Sequence, residues 1–164
     1  MTTKITLFIA ALFLAFNFGF SQEEDANELS IMTEYAKAKN YDAAYEPFMN
    51  IRKRNPKYNR AIYKYGEDIL EDKIEKSSGA EKVGYINDML ALWKERKMHY
   101  ASKTPTGEYA AKACQLMYDN RKELNKSDEE LYMCFDDAYN GDRKTFTNPK
   151  SLYTYFSLMV DLYD

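Results

Sequence analysis

Two cysteines, one histidine and a surplus of carboxylates are the residues of this 164-residue chain that could do chemistry. Cys114 and Cys134 fall on two successive predicted helices, about equally far from a turn near Asn125. In an oxidising compartment a level pair of this kind can close a disulfide; the alternative is two buried free thiols, since cysteine packs as a small apolar residue and packed helices often hold Cα atoms too far apart to bridge. Both readings stay open from the sequence. His99 stands at the end of a predicted helix with no other metal-ligand type clustered around it, so a cation near the helix C-terminus is its expected role. The acids come in runs, Glu23-Glu24-Asp25 and Asp136-Asp137, and adjacent acids on a helix point in different directions. A glycosidase would need two carboxyls facing across a cleft. No Gly-rich phosphate loop, G-x-S-x-G elbow or metal motif occurs, so no catalytic residue, metal ligand or cofactor is assigned.

The elements that would hold these residues are helical. Strand signals are nearly absent: there is no long alternating Val/Ile/Thr run and no Asn-Gly hairpin between apolar segments. Punctuation cuts the chain into seven helices, at about 26–39, 42–54, 59–76, 80–99, 108–124, 128–140 and from Pro149 onward. Ser127 and Glu130 have capping-box spacing, and Asn148-Pro149 reads as an N-cap followed by proline at the first helical position. Arg52-Lys53-Arg54 is expected to offset the dipole at a helix end.

The amino terminus speaks to compartment. Lys4 precedes an almost wholly apolar run from Ile5 to Phe18, and Gly19-Phe20-Ser21 supplies small residues at alternate positions, the layout of a secretory signal peptide. Cleavage is expected after Ser21, with no cysteine beside it to carry a lipid; an uncleaved anchor is the alternative. Losing residues 1–21 removes Lys4 alone among the charges, leaving 22 basic against 26 acidic residues, a balance with no electrostatic reason to hold nucleic acid. Residues 22–164 suffice for one folded domain with no membrane span.

Tyr41, Ala44, Phe48, Ile51 and Pro56 fall at steps of 3, 4, 3 and 5. This spacing resembles the second helix of a tetratricopeptide repeat, with Met32 and Tyr35 at the close-packing and aromatic positions of the first. The match covers residues 25–56 and decays afterward: the intervals from Pro56 to Pro105 and from Pro105 to Pro149 exceed one standard unit. Met32 stands where the family prefers a small residue, and Pro47 inside helix two implies a kink or a delayed start.

The resemblance implies an all-α superhelix, a tetratricopeptide-like solenoid of about three antiparallel pairs plus one unpaired C-terminal helix. It also implies an exported protein of the periplasm or outer membrane. On its pattern Tyr58, Ala61, Tyr65 and Asp68 would face a concave groove that holds a protein or peptide partner. Apolar residues cover more than one face of helix seven, so either the polypeptide continues past Asp164, the preferred expectation, or a partner covers that surface. The function expected is a non-catalytic scaffold for protein contacts. The alternatives are a helical enzyme or carbohydrate-binding protein with an acid- and tyrosine-lined cleft near Trp93, and a structural spacer.

Overall fold

The computed structural model describes residues 23–163. The expected leader and its cleavage point lie outside them. Every regular element among the described residues is helical: α1 over 23–37, α2 Tyr41–Arg54, α3 Ala61–Lys76, α4 Gly79–His99, a 3-10 turn Ala101–Lys103, α5 Thr106–Asp119, α6 Asp128–Gly141 and α7 Pro149–Tyr163. The described residues fall into two compact units, with the boundary inside α3 between Ile69 and Leu70.

In the first unit α1 and α2 form an antiparallel hairpin. Its turn is a Schellman-type closure: Asn40 N–H donates to the Tyr35 carbonyl and Lys39 N–H to that of Ala36, with Lys39 in the left-handed region at φ 56°. Asn40 then caps α2 through its side chain, which accepts from Ala43 N–H. The helix therefore starts at Tyr41 and runs through Pro47 without delay, although Pro47 has no N–H to offer the Ala43 carbonyl. Ala44, Phe48 and Ile51 are fully buried, as is Met32 on α1, whereas Tyr35 is exposed.

Polar contacts pin the open end of this hairpin. The buried Asp25 carboxylate accepts from Arg54 Nε at 2.7 Å and from Asn55 Nδ2 at 2.8 Å, and Glu24 pairs with Arg54 at 2.9 Å. These acids hold the Arg54 guanidinium above its ordinary pKa, chiefly through the Asp25 hydrogen bond. Arg52 lies over the Phe48 ring at 5.6 Å and is itself buried. Helix-dipole compensation is thus a partial account of the basic run, because two of its three cations are committed to side-chain partners.

The second unit is a series of antiparallel neighbours. Trp93 and Arg96 of α4 meet Tyr109 of α5, with ring centroids 6.4 Å apart and the guanidinium 4.9 Å above the phenol ring. Near the start of α4 Lys82 reaches Glu123, in the turn beyond α5, at 3.5 Å. Helix α5 ends at Asp119, five residues before the expected Leu124. Asn120 is the physical reason: its side-chain Nδ2 and its backbone N–H both donate to the Leu116 carbonyl, which closes the ladder locally. One more turn follows and stops at Asn125, in the left-handed region at φ 50°. Ser127 and Glu130 then complete the capping box of α6, and Asn148 Oδ1 accepts from Ser151 N–H to open α7.

Helix α7 packs on α6 and α5. Ala111, Cys114, Leu131, Phe135, Ala138, Phe146 and Leu158 form one core, and Tyr155 stacks on Phe135 with centroids 6.3 Å apart. Helix α7 seats one side on the α5–α6 pair, through Ser151, Thr154 and Leu158.

A close approach fixes the start of α5. Gly107 N–H donates to Thr145 Oγ1 at 2.8 Å and to Asp142 Oδ2 at 3.2 Å, and a Cβ at position 107 would fall 2.2 Å from the Asp142 carbonyl oxygen. Only glycine fits there. Asp142 also accepts from the Thr145 hydroxyl at 2.6 Å, the contact that does most to hold its carboxyl below the usual range, with the Gly107 and Thr145 N–H groups adding to it. Lys126 and the Ser127 N–H depress Glu130 likewise. A carboxyl with a depressed folded-state pKa stabilises the fold above its unfolded value, and that stability is lost as pH falls through the folded one. Urea midpoints should therefore drop between about pH 5 and pH 3, and Asp142→Asn should lessen that drop while lowering stability at pH 7. An undiminished drop in the variant would show that the Asp142 cradle does not contribute.

Candidate functional site

Of the four residues placed on a groove by sequence, three share one side of α3: Ala61, Tyr65 and Asp68, at steps of 4 and 3. Tyr58 precedes the helix by one turn, in the 55–60 connection, where its N–H donates to the Asn55 carbonyl. Asn59 sets the entry angle, its side-chain oxygen accepting from Ala61 N–H at 2.9 Å. The fully buried Ile62 and Ile69 border this strip, about a quarter-turn round α3 from its centre, and Tyr58, Ala61 and Tyr65 are half-buried while Asp68 is exposed. Lys64 sits over the Tyr65 ring at 5.1 Å. The set is an amphipathic aromatic strip able to stack and to donate hydrogen bonds through the tyrosine hydroxyls, and it holds no nucleophile beside a base.

Aromatic residues gather again where α6 meets α7. Tyr132 contacts Tyr155 and Tyr163, each at 5.5 Å between centroids, and Tyr139 contacts Tyr155 and Phe146 at 5.7 and 5.6 Å. Asp136 holds this group together: one carboxylate oxygen accepts a short hydrogen bond from the Tyr155 hydroxyl and the other accepts from Asn140 Nδ2 at 3.0 Å. Burial, with the Asp136 bond second, pushes the Tyr155 pKa well above that of a free phenol. Tyr155 therefore keeps its proton and serves as a structural donor. Sequence reasoning missed this pair, since Asp136 and Tyr155 are 19 residues apart and only α7 docking makes them neighbours.

Two open clefts flank the same region. One, of about 480 Å³, is lined by Tyr132, Met159, Val160 and Tyr163 and contains no acid. The other, of about 280 Å³, is lined by Met117, Lys126, Glu130, Leu131, Met133 and Cys134; its one carboxylate, Glu130, is engaged by Lys126 and Ser127. Neither sets two carboxyls face to face. Trp93 lies half-buried against Tyr109, and His99 closes the last turn of α4. Among the described residues no group of three or more His, Cys, Asp or Glu side chains could hold a metal. No described helix is long and apolar enough to cross a membrane.

Cys114 and Cys134 are bonded to one another, with Cα atoms 5.7 Å apart. With Cα atoms about 2.3 Å from each axis, helices packed about 8–10 Å apart bring directly facing Cα atoms within bridging range, so the bond requires only that positions 114 and 134 face one another across the α5–α6 seam. What fold and surfaces define together is an all-α protein of antiparallel helical neighbours with solvent-facing aromatic strips. No family model, no curated protein and no solved structure matches this chain.

Closing a loop over a sequence separation of 20 contributes about 3 kcal/mol by the chain-entropy relation. The Cys114→Ser/Cys134→Ser variant should unfold in urea at a correspondingly lower midpoint, and reductant should lower the wild type but leave the variant unmoved. Identical midpoints for wild type with and without reductant would contradict a contribution from the bond.

Proposed function

We propose that this chain is an exported, tetratricopeptide-like helical repeat protein of the periplasm or outer membrane. In this reading it scaffolds protein–protein contacts and catalyses no reaction. The observation that carries the reading is the division of labour on α2 and α3. Ala44, Phe48 and Ile51, at the repeat spacing, are fully buried, while along one side of α3 Ala61 and Tyr65 stay half-buried and Asp68 is exposed. Small, aromatic and aliphatic residues fill the interior of the α1–α2 hairpin as a repeat unit requires, and tyrosine suits a peptide-binding strip because it offers large amphipathic area at low conformational cost.

The test is affinity capture from periplasmic extract, with wild-type protein compared against a Tyr58→Ala/Tyr65→Ala variant of unchanged helicity. Specific retention of one or a few proteins by the wild type, reduced at least about tenfold in the variant, is expected for a strip whose aromatic residues dominate binding. No protein retained above background, or equal retention by both forms, would overturn the groove assignment.

A further inference from the structure

Helix α7 is seated by its less apolar side. Ser151, Thr154 and Leu158 are buried, while Leu152, Tyr153, Phe156, Met159 and Tyr163 remain 38, 73, 59, 38 and 73% exposed. Four of these, Leu152, Phe156, Met159 and Tyr163, follow one another at steps of 4, 3 and 4, the spacing of a seam that pairs with another helix. At 3.6 residues per turn they and Tyr153 and Val160 share an arc of about 120°, and both charged residues of the helix, Lys150 and Asp161, fall outside it. Lys150 is turned to Asp119, at 2.7 Å.

We propose that this arc is a self-association face and that its occupant is α7 of a second copy, laid antiparallel about a two-fold axis. The spacing reads the same in both directions, so reversal places Leu152 against Tyr163 of the second copy and Phe156 against Met159 of the second copy, a sulfur–aromatic pairing. An arc without charge needs a partner surface without charge. In a chain with 30% charged residues the same arc on another copy supplies one.

The cleft of about 480 Å³ between Tyr132, Met159, Val160 and Tyr163 then receives Leu152 and Tyr153 of the second copy. The five exposed side chains offer on the order of 550 Å² per copy, given about 150–250 Å² for each aromatic. A pair of copies would bury at most about 1,100 Å², just past the roughly 1,000 Å² that a specific interface needs. The proposal does not rest on the α3 strip, and its experiment reads self-association alone, so a failed capture experiment leaves it standing and the reverse holds.

Sedimentation velocity of the purified protein across a concentration series tests it. A monomer–dimer equilibrium is expected, with Phe156→Asp and, separately, Tyr153→Lys weakening it at least about tenfold at unchanged helicity. Register is tested with a short bismaleimide. Leu152→Cys mixed with Tyr163→Cys should give covalent dimers, whereas Leu152→Cys alone should not, its two copies of residue 152 lying about 16 Å apart along the axis. A monomer at every concentration would overturn the proposal and assign the arc to further helices of the polypeptide or to another protein. So would a dimer indifferent to both substitutions, or Leu152→Cys copies that cross-link with each other.

Discussion

The seam between α5 and α6 is the interaction on which the rest of the second unit depends. Helices of 14 residues are marginal alone in water, because the first turn orders several residues for one hydrogen bond. Here the cost is offset by one interface: Ala111 and Cys114 on α5, Leu131, Phe135 and Ala138 on α6, and a covalent bond within it. Everything later in the chain is laid on that seam. Phe146 packs edge-on against Phe135, Tyr155 stacks on the same ring, and Ser151 donates to the Ala111 carbonyl. The 142–146 connection folds tightly over the start of α5 because Gly107 has no side chain to hold it off.

How much of this was legible depended on how local each cause is. Ser127 and Glu130, or Asn148 and Pro149, act within one turn of the helix they start, so their roles can be read from spacing alone. The buried stripe of α2 was legible for the same reason, a periodicity contained within the helix. Causes that span tens of residues were not. Arg54 looks like a dipole-compensating cation until α1 folds back and brings Asp25 within 2.7 Å. The end of α5 was misplaced because Asn120 has ordinary helix propensity, and nothing nearby shows that its amide will take the Leu116 carbonyl.

Helix α7 is the clearest case of a pattern whose meaning lies outside itself. Its sequence shows apolar residues on more than one face, which cannot say which face will be buried. Docking selects the side bearing Ser151, Thr154 and Leu158, since these compact residues let α7 approach the core while Tyr155 reaches Asp136. The larger side chains are left outward. A helix docked by its less apolar side presents a contiguous apolar surface outward, and such surfaces commonly mark interaction sites.

The α3 strip and the α7 arc share a chemistry: aromatic side chains, half-buried at Tyr58 and Tyr65 and largely exposed along α7. That combination suits recognition, in which affinity comes from a few well-placed aromatic anchors. The most direct measurement of this account is photo-cross-linking in cells that produce the protein, with a benzophenone amino acid at Tyr58 or Tyr65 and, as a control, at the exposed Glu129. Recognition by the strip predicts a discrete protein adduct from the tyrosine positions and none from Glu129. No adduct at either tyrosine, or the same diffuse labelling at all three positions, would contradict it.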